Sequence, residues 1–212
     1  MPSRHILILL DQPLYNILKI FKNLLIFFGC NNLKIKNTYE TDFQRNLNVF
    51  FKDATTSPLK ANDLKNFNSL PFFSYDSTFV TYAKFELTPE SAFFDMKTST
   101  SRISKERIYG ILKFEINGNK FQLKVYQSKD SASNNKDDLL LPFLDKTNGI
   151  STYGGGRYIN LKTPLSDEVI IDFNKAYNPY CAYNELFSCP IVPQENYLPF
   201  DVKAGVMYKT EY

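Results

Sequence analysis

The chain has 212 residues, enough for one domain with a full hydrophobic core, and its 14 Tyr and 19 Phe favour a sheet-rich interior. Its net charge of +3 is unevenly placed, because residues 1–37 hold five basic residues and one acidic residue. The remainder, with 20 basic and 21 acidic residues, is nearly balanced, so no nucleic-acid-binding face is expected. The only histidine is His5, which excludes histidine triads, histidine general bases and histidine metal sites from the remainder.

Residues 1–29 are predicted to be a targeting segment. Lys19 and Lys22 precede the short apolar run of residues 23–29, and a polar stretch follows. Basic residues, a short apolar run and a small residue at its end are typical of a secretory signal. Because the segment has no run of 18 uncharged apolar residues, a membrane-spanning helix is disfavoured.

The junction at Cys30 resembles a bacterial lipoprotein signal, in which the first mature residue is a lipidated cysteine. Residues 30–39 are predicted to be a polar tether, and the protein would then be held at the membrane of the cell envelope, facing the periplasm or the exterior. Phe27 and Phe28 depart from the usual lipoprotein pattern. The alternative is an amphipathic N-terminal helix on a cytoplasmic protein.

Residues 40–212 are predicted to form a single globular domain that opens with short helices. Thr41 and Gln44 suit a capping box at the start of the first helix. Asn62 is predicted to cap a short second helix, with Leu64 and Phe67 turned inward.

After the helices the apolar residues alternate, which predicts about eight strands. The Asn117-Gly118 dipeptide favours a two-residue type I′ turn, which places Leu112 opposite Leu123 and Phe114 opposite Phe121. The expected fold class is mainly β (α+β), with an antiparallel barrel-like sheet whose opening or face the helices cover. The predicted strands are Thr78–Leu87, Ala92–Thr98, Ile108–Ile116, Phe121–Tyr126, Leu139–Leu144, Arg157–Leu161, Val169–Phe173 and Phe200–Tyr208.

A triple glycine followed by arginine is the first candidate binding motif. Three successive glycines suit a backbone that takes positive φ angles or comes close to a ligand. Their N–H groups could bind an anion, and Arg157 could hold a carboxylate or phosphate. The alternative is a bulge or bend in a strand. The candidate ligand-binding residues here are Tyr153, Gly154, Gly155, Gly156 and Arg157.

A polar segment further along is the second candidate site. Asp172 is a possible general base, and Tyr177 a possible partner acid, in a chain without a usable histidine. The alternative is a turn held by side-chain to backbone hydrogen bonds. The candidate ligand contacts in this region are Asn174, Asn178, Tyr183 and Asn196.

Cys181 and Cys189 are separated by seven residues. In an exported protein such a pair suggests a disulfide that closes a small loop. A pair of free thiols is the second possibility. A metal site ranks third, because zinc needs two further ligands and only carboxylates remain, so no metal ligands are assigned.

The motifs together resemble a bacterial and archaeal domain family, domain of unknown function 1684. The resemblance extends over residues 40–209, implies a similar fold class, and implies an exported or lipid-anchored protein without naming a reaction. The motifs that carry it are Ser57-Pro-Leu59, Leu70-Pro-Phe-Phe73, Pro142-Phe-Leu-Asp145, Tyr153–Tyr158, Asp172-Phe-Asn174, Tyr177–Tyr183, Cys189-Pro190 and Glu195-Asn196.

The leading functional hypothesis is an envelope-associated domain that binds a small, possibly anionic molecule around the glycine–arginine and Asp172–Cys181 motifs. The alternatives are a hydrolase- or isomerase-like enzyme that uses Asp172 and a tyrosine, a flavin-binding split barrel, and a structural interaction domain. The sequence identifies no cofactor.

Overall fold

The computed structural model describes residues 40–129, 137–163 and 167–208, so the predicted targeting segment and the predicted tether lie outside the described residues. The described chain is mostly β, a curled antiparallel sheet of eight strands that forms a half-barrel with few helices, as the sequence predicts. No helix among the described residues is long and apolar enough to cross a membrane.

The strands pair in the order β6-β5-β4-β3-β1-β7, with β2 on β3 and the parallel strand β8 on β5. Strand β3 is the longest, so it carries both β2 and β4 at one end. The bounds are β1 Val80–Leu87, β2 Phe94–Lys97, β3 Ile103–Ile116, β4 Asn119–Ser128, β5 Asp138–Asp145, β6 Arg157–Lys162, β7 Glu168–Asp172 and β8 Tyr197–Leu198.

The β3–β4 hairpin has the predicted register. Leu112 pairs with Leu123, and Phe114 pairs with Phe121. The turn places Asn117 at φ 51° and Gly118 at φ 75°, the two positive φ angles of a type I′ turn. The core cluster beneath this hairpin includes Leu112, Leu123 and Val125, each at most 1% exposed.

From residue 40 onward, two α-helices precede the sheet, α1 (Asp42–Lys52) and α2 (Ala61–Asn66). The predicted capping box is confirmed, since Thr41 Oγ1 accepts from Gln44 N at 3.2 Å and Gln44 Oε1 accepts from Thr41 N at 2.9 Å. The predicted cap Asn62 is wrong. Helix α2 starts earlier, at cap residue Lys60, whose carbonyl accepts from Leu64 N.

The helices contribute to a second apolar cluster, distinct from the core of the sheet. Phe51 and Phe67 are buried there in one cluster with Tyr183 and Val206, which lie in the irregular part of the chain after β7. Phe51 and Tyr183 meet edge to face, with ring centroids 5.0 Å apart. The helices therefore fix the irregular C-terminal residues.

The predicted strand Phe200–Tyr208 is wrong. Within it only Val206 forms a bridge, with Phe72, and the eighth strand is instead the two-residue β8. The reason is that this backbone bonds to several separate partners rather than along one strand. Arg157 donates to two of its carbonyls, Val202 N donates to Asp145 Oδ1, and Val206 N donates to Ala176 O. One smaller difference is that β2 begins at Phe94 rather than at Ala92.

Candidate functional site

The glycine motif lies in the loop between β5 and β6. Gly156 needs to be glycine, because its φ is +90° and a Cβ there would lie 2.8 Å from Phe143 O and 2.7 Å from Val192 Cγ2. A Cβ on Gly155 would meet the Tyr153 ring at 2.5 Å. Gly154 is exposed, with no atom closer than 3.8 Å to such a Cβ. The packing of the fold thus accounts for two of the three glycines.

Arg157 is fully buried, at 0% exposure, and is bound within the fold. Its Nη2 atom donates to Asp145 Oδ2 and to Val202 O, both at 2.8 Å, and its Nη1 atom donates to Ala204 O. Burial lowers the pKa of Arg157, and the charge of Asp145 opposes this change. The guanidinium has no exposed surface for a ligand, so its ligand role stays a prediction that no contact supports.

Two of the predicted ligand-binding asparagines instead bind distant backbone. Asn196 is 0% exposed, accepts from Lys124 N at 2.9 Å, and donates to the carbonyls of Lys124 and Pro142 at 2.8 and 2.7 Å. Asn174 accepts from Asp76 N at 3.0 Å and donates to Asp76 O at 2.9 Å. Both amides join segments that are far apart in the chain.

Asn178 is also buried, at 1% exposure. Its Nδ2 atom donates to the Tyr183 hydroxyl at 3.0 Å and to Met207 O at 3.1 Å. Asn178 thereby joins the predicted contact Tyr183 to the end of the described chain, while its Oδ1 atom is buried without a hydrogen bond among the described residues.

The structure gives the two candidate catalytic residues separate partners. Asp172 begins a one-turn 3-10 helix, and its Oδ1 atom accepts from Asn174 N at 3.0 Å. The Tyr177 hydroxyl donates to Asn160 Oδ1 at 2.7 Å, on β6, and burial raises the pKa of Tyr177. An acid–base pair of Asp172 and Tyr177 stays a prediction without a contact between them.

The cysteines form the chemically most distinctive cluster of the described residues. Both are free thiols and half-buried, so the disulfide stays a prediction. Cys181 lies in a one-turn 3-10 helix (Tyr180–Ala182), and its N–H donates to Cys189 Sγ at 3.3 Å. Ser99 fixes Cys189, since Ser99 N donates to Cys189 O at 2.8 Å and Cys189 N donates to Ser99 Oγ at 3.1 Å.

The surroundings of Cys181 stabilise its thiolate. Hydrogen bonding from Cys189, with smaller effects of the neighbouring Ser99 and Tyr153, lowers the pKa of Cys181 to about 6, although partial burial opposes this. The same hydrogen bond raises the pKa of Cys189, because Cys189 keeps the proton that it donates. The pair is therefore asymmetric, with the pKa of Cys181 lowered and the pKa of Cys189 raised.

Tyrosines surround the two sulfur atoms. Burial and the nearby Cys181 raise the pKa of Tyr153, so its phenol stays a donor. The Tyr158 hydroxyl donates to Pro190 O, next to Cys189, and the Tyr153 ring packs on Tyr208 with centroids 5.2 Å apart. The predicted motifs thus meet at the cysteines, with Tyr153 as the residue of the glycine motif that contacts sulfur.

Ser99 is the site residue that the sequence analysis missed. It follows β2 and lies 82 and 90 positions before the two cysteines, so no local spacing links them. The described residues contain no group of three or more His, Cys, Asp or Glu arranged to hold a metal ion. The site therefore offers two thiols, one hydroxyl and one phenol.

The described residues define a class of protein: a curled antiparallel β-sheet domain with a cysteine pair on an irregular segment that buried polar side chains hold in place. Residues 65–207 match the model of the family described as Protein of unknown function (DUF1684), and the chain belongs to this family. The family resemblance predicted from the motifs is confirmed.

A solved structure gives the same fold. The solution NMR structure of an uncharacterized protein from Haloarcula marismortui is 32% identical, has a TM-score of 0.63, and covers 78% of this chain and 90% of its own. No curated protein matches the chain. The comparisons establish the family and the fold of the chain. The chemistry of the site is the basis for inferring a function.

Proposed function

We propose that Cys181 and Cys189 form a reversible dithiol–disulfide site, and that the domain exchanges disulfides with a partner at the cell envelope. One observation carries the proposal: the two half-buried free thiols lie together, with Cys181 N donating to Cys189 Sγ at 3.3 Å, and Cys189, Ser99 and Tyr153 lower the pKa of Cys181. A thiolate is the nucleophile in disulfide exchange, and low-pKa accessible cysteines are the reactive ones. Cys181 is therefore the attacking residue.

In the forward direction the Cys181 thiolate attacks one sulfur of a substrate disulfide. A mixed disulfide forms, and the other substrate sulfur leaves as a thiolate. Cys189 then loses its proton and attacks the Cys181 sulfur, which closes the Cys181–Cys189 disulfide and releases the second substrate sulfur. The substrate gains two electrons that the cysteine pair loses, and protons from Cys189 and solvent neutralise the released thiolates. A dithiol partner runs the reaction backwards.

The fold places Cys189 for this second step. Its two hydrogen bonds to Ser99 hold the backbone at the end of β2, and its sulfur already accepts from Cys181 N at 3.3 Å. Because its pKa is raised, Cys189 stays protonated and does not compete with Cys181 for the substrate.

Exposed apolar side chains beside the cysteines favour a polypeptide as the partner. Leu186, in the loop between the cysteines, is 85% exposed, and Ile191, two residues after Cys189, is 51% exposed. Apolar side chains at the rim of a reactive site give a protein partner a surface to contact.

The envelope location is proposed from the sequence alone, from the Cys30 junction and the apolar run before it. Disulfides persist in oxidising compartments outside the cytosol. Lipidation at Cys30 would hold the dithiol site near the membrane, where exported proteins form their disulfides.

A small anionic ligand at the glycine motif is less well supported. Arg157 is buried, and Tyr153 lies beside Cys181, whose pKa is lowered. A thiolate repels an anion, so a small disulfide fits this surface better. No described feature favours a flavin here.

The test is trapping with oxidised glutathione on the full chain, in a Cys30→Ser background that removes the third thiol. Wild-type cysteines should give an intramolecular disulfide, seen as a loss of two hydrogens in the intact mass. Cys189→Ser should stop at the mixed disulfide and gain one glutathione. Cys181→Ser should react far more slowly. Equal reactivity of Cys181→Ser and Cys189→Ser would contradict the proposed roles.

A further inference from the structure

A groove on the outer face of the sheet, far along the chain from the cysteines, has the features of a second binding site. Strands β1, β3 and β4 lie side by side there, and the groove between their side chains has a volume of about 580 Å³. Small-molecule sites typically have volumes of this order. Its charged lining residues are Lys84, Lys113, Lys120 and Glu115.

The lysines are not placed as simple ion pairs. Lys84 stands directly opposite Lys113 across the β1–β3 ladder, and like charges so placed are destabilising. Glu86 lies 3.7 Å from Lys84 Nζ and 2.7 Å from Lys113 Nζ, so one carboxylate serves two ammonium groups. Among the described residues Lys120 has no carboxylate within salt-bridge distance. In the strand ladders Glu115 stands opposite Lys120 and Glu168 stands opposite Lys84. The lining residues themselves are three lysines and one glutamate, and their net charge is positive.

Apolar surface accompanies this charge. The Tyr82 ring is 69% exposed at one wall of the groove, and the edges of Phe114 and Phe121 form another part of its lining. On the far side of Phe121 lies a second cavity of about 490 Å³, which shares Phe121 and Lys120 with the first and reaches Phe200. The Phe121 and Phe200 ring centroids are 4.9 Å apart.

We propose that this groove binds a free small amphipathic anion, a molecule with an aromatic or aliphatic body and a carboxylate, sulfonate or phosphate head. The body would contact Tyr82 and Phe121, and the head would lie between Lys113 and Lys120. The ligand neutralises part of the positive charge that Glu86 and Glu115 leave on the three lysines. The site is separate from the cysteine pair, and its test does not depend on the redox function.

The test uses the anionic fluorophore 1-anilinonaphthalene-8-sulfonate on the full chain. The double variant Lys113→Gln/Lys120→Gln should bind it about tenfold more weakly, because two exposed charged contacts are lost. The matched control is Lys105→Gln, also on β3, which removes a lysine paired with Asp95 outside the groove and should leave the affinity unchanged. Decanoate should compete, and added salt should weaken binding to the wild type more than to the double variant.

Two measurements separate the proposal from its rivals. Nile red, an uncharged apolar dye, should bind wild type and double variant equally, which shows that the apolar surface is intact. Equal affinity of the sulfonate for both proteins would overturn the proposal. Lysine-dependent binding to phosphatidylglycerol vesicles without competition by decanoate would also overturn it, because the groove would then contact a membrane surface.

Discussion

The strands of the half-barrel and the irregular segment 173–208 both contain fully buried residues, and their backbones are hydrogen-bonded in different ways. In the sheet, backbone groups pair along ladders, and alternate side chains such as Leu112 and Val125 are 0% exposed. In segment 173–208, Val202 and Ala204 are also 0% exposed, yet the only regular strand is the two-residue β8. Its backbone bonds instead to isolated backbone groups and to buried side chains such as Arg157.

This difference indicates the role of the polar motif residues. Buried backbone N–H and C=O groups need partners, and where no neighbouring strand is present a side chain must supply them. Arg157 does this for the carbonyls of Val202 and Ala204. Asn174 and Asn196 lie in the segment and bind backbone outside it, that of Asp76 and that of Lys124 and Pro142. A polar motif residue in this segment is thus first a structural residue, and the exposed chemistry is left to the cysteines.

The largest loss of stability is expected from removing the buried Arg157–Asp145 ion pair, which binds the backbone of the irregular segment. Arg157→Met should lower the free energy of unfolding by about 3–5 kcal/mol, because it leaves the buried Asp145 carboxylate without its partner and frees two carbonyls. Urea unfolding measures the change. The control Arg45→Met removes an exposed pair with Asp42 and should change stability by less than about 0.5 kcal/mol. Equal effects would contradict the structural role of Arg157.

One substitution in each region tests whether buried amides and buried apolar side chains contribute similarly to stability. Asn196→Ala should lower the free energy of unfolding by about 2–3 kcal/mol, because three buried backbone groups lose their partner. Leu112→Ala in β3 should cost a similar amount, about 2–5 kcal/mol, through a cavity. Asn119→Ala, at an exposed position, is the control and should be neutral. A neutral Asn196→Ala would mean that the irregular segment does not depend on its amides.

A smaller effect separates the glycines of the β5–β6 loop. Gly156→Ala should lower stability by about 2 kcal/mol, because its φ is +90° and the added methyl group would meet Phe143 O. Gly154→Ala should change stability by less than about 0.5 kcal/mol, since nothing lies near its Cβ. Thermal unfolding of both variants measures the difference, and similar midpoints would show that the loop adapts.

The sequence predicts the sheet better than the irregular segment, for a physical reason. The Asn117-Gly118 turn and the Thr41–Gln44 capping box depend on residues at most three apart, so both were predicted and found. Strand register follows from alternating burial, which is also local. Such signals determine the half-barrel almost completely.

The segment around the site depends on long-range partners that no local pattern reveals. An arginine after three glycines is typical of an exposed anion site, and its burial requires Asp145 and a carbonyl 45 residues further on. The same carbonyls make Phe200–Tyr208 irregular although its sequence favours a strand. The site could be predicted only as a set of motifs, and its hydroxyl donor Ser99 not at all.

The smallest expected effect tests the site rather than the fold. The Cys181 thiolate forms as pH rises through its pKa, so alkylation by iodoacetamide should level off above about pH 6, whereas an ordinary thiol still gains reactivity near pH 8.5. Tyr153→Phe removes one donor to that sulfur and should raise the inflection towards pH 7, a change on the order of 1 kcal/mol.

The control for this change is Tyr177→Phe, because the Tyr177 hydroxyl donates to Asn160 and not to sulfur. Both variants lose one tyrosine hydroxyl beside the same segment. A general loss of packing in that segment would therefore affect both variants alike. A shift in the pH profile confined to Tyr153→Phe would assign the phenol to the thiolate. Identical profiles for wild type and Tyr153→Phe would leave Cys189 and Ser99 as the donors that set the reactivity of Cys181.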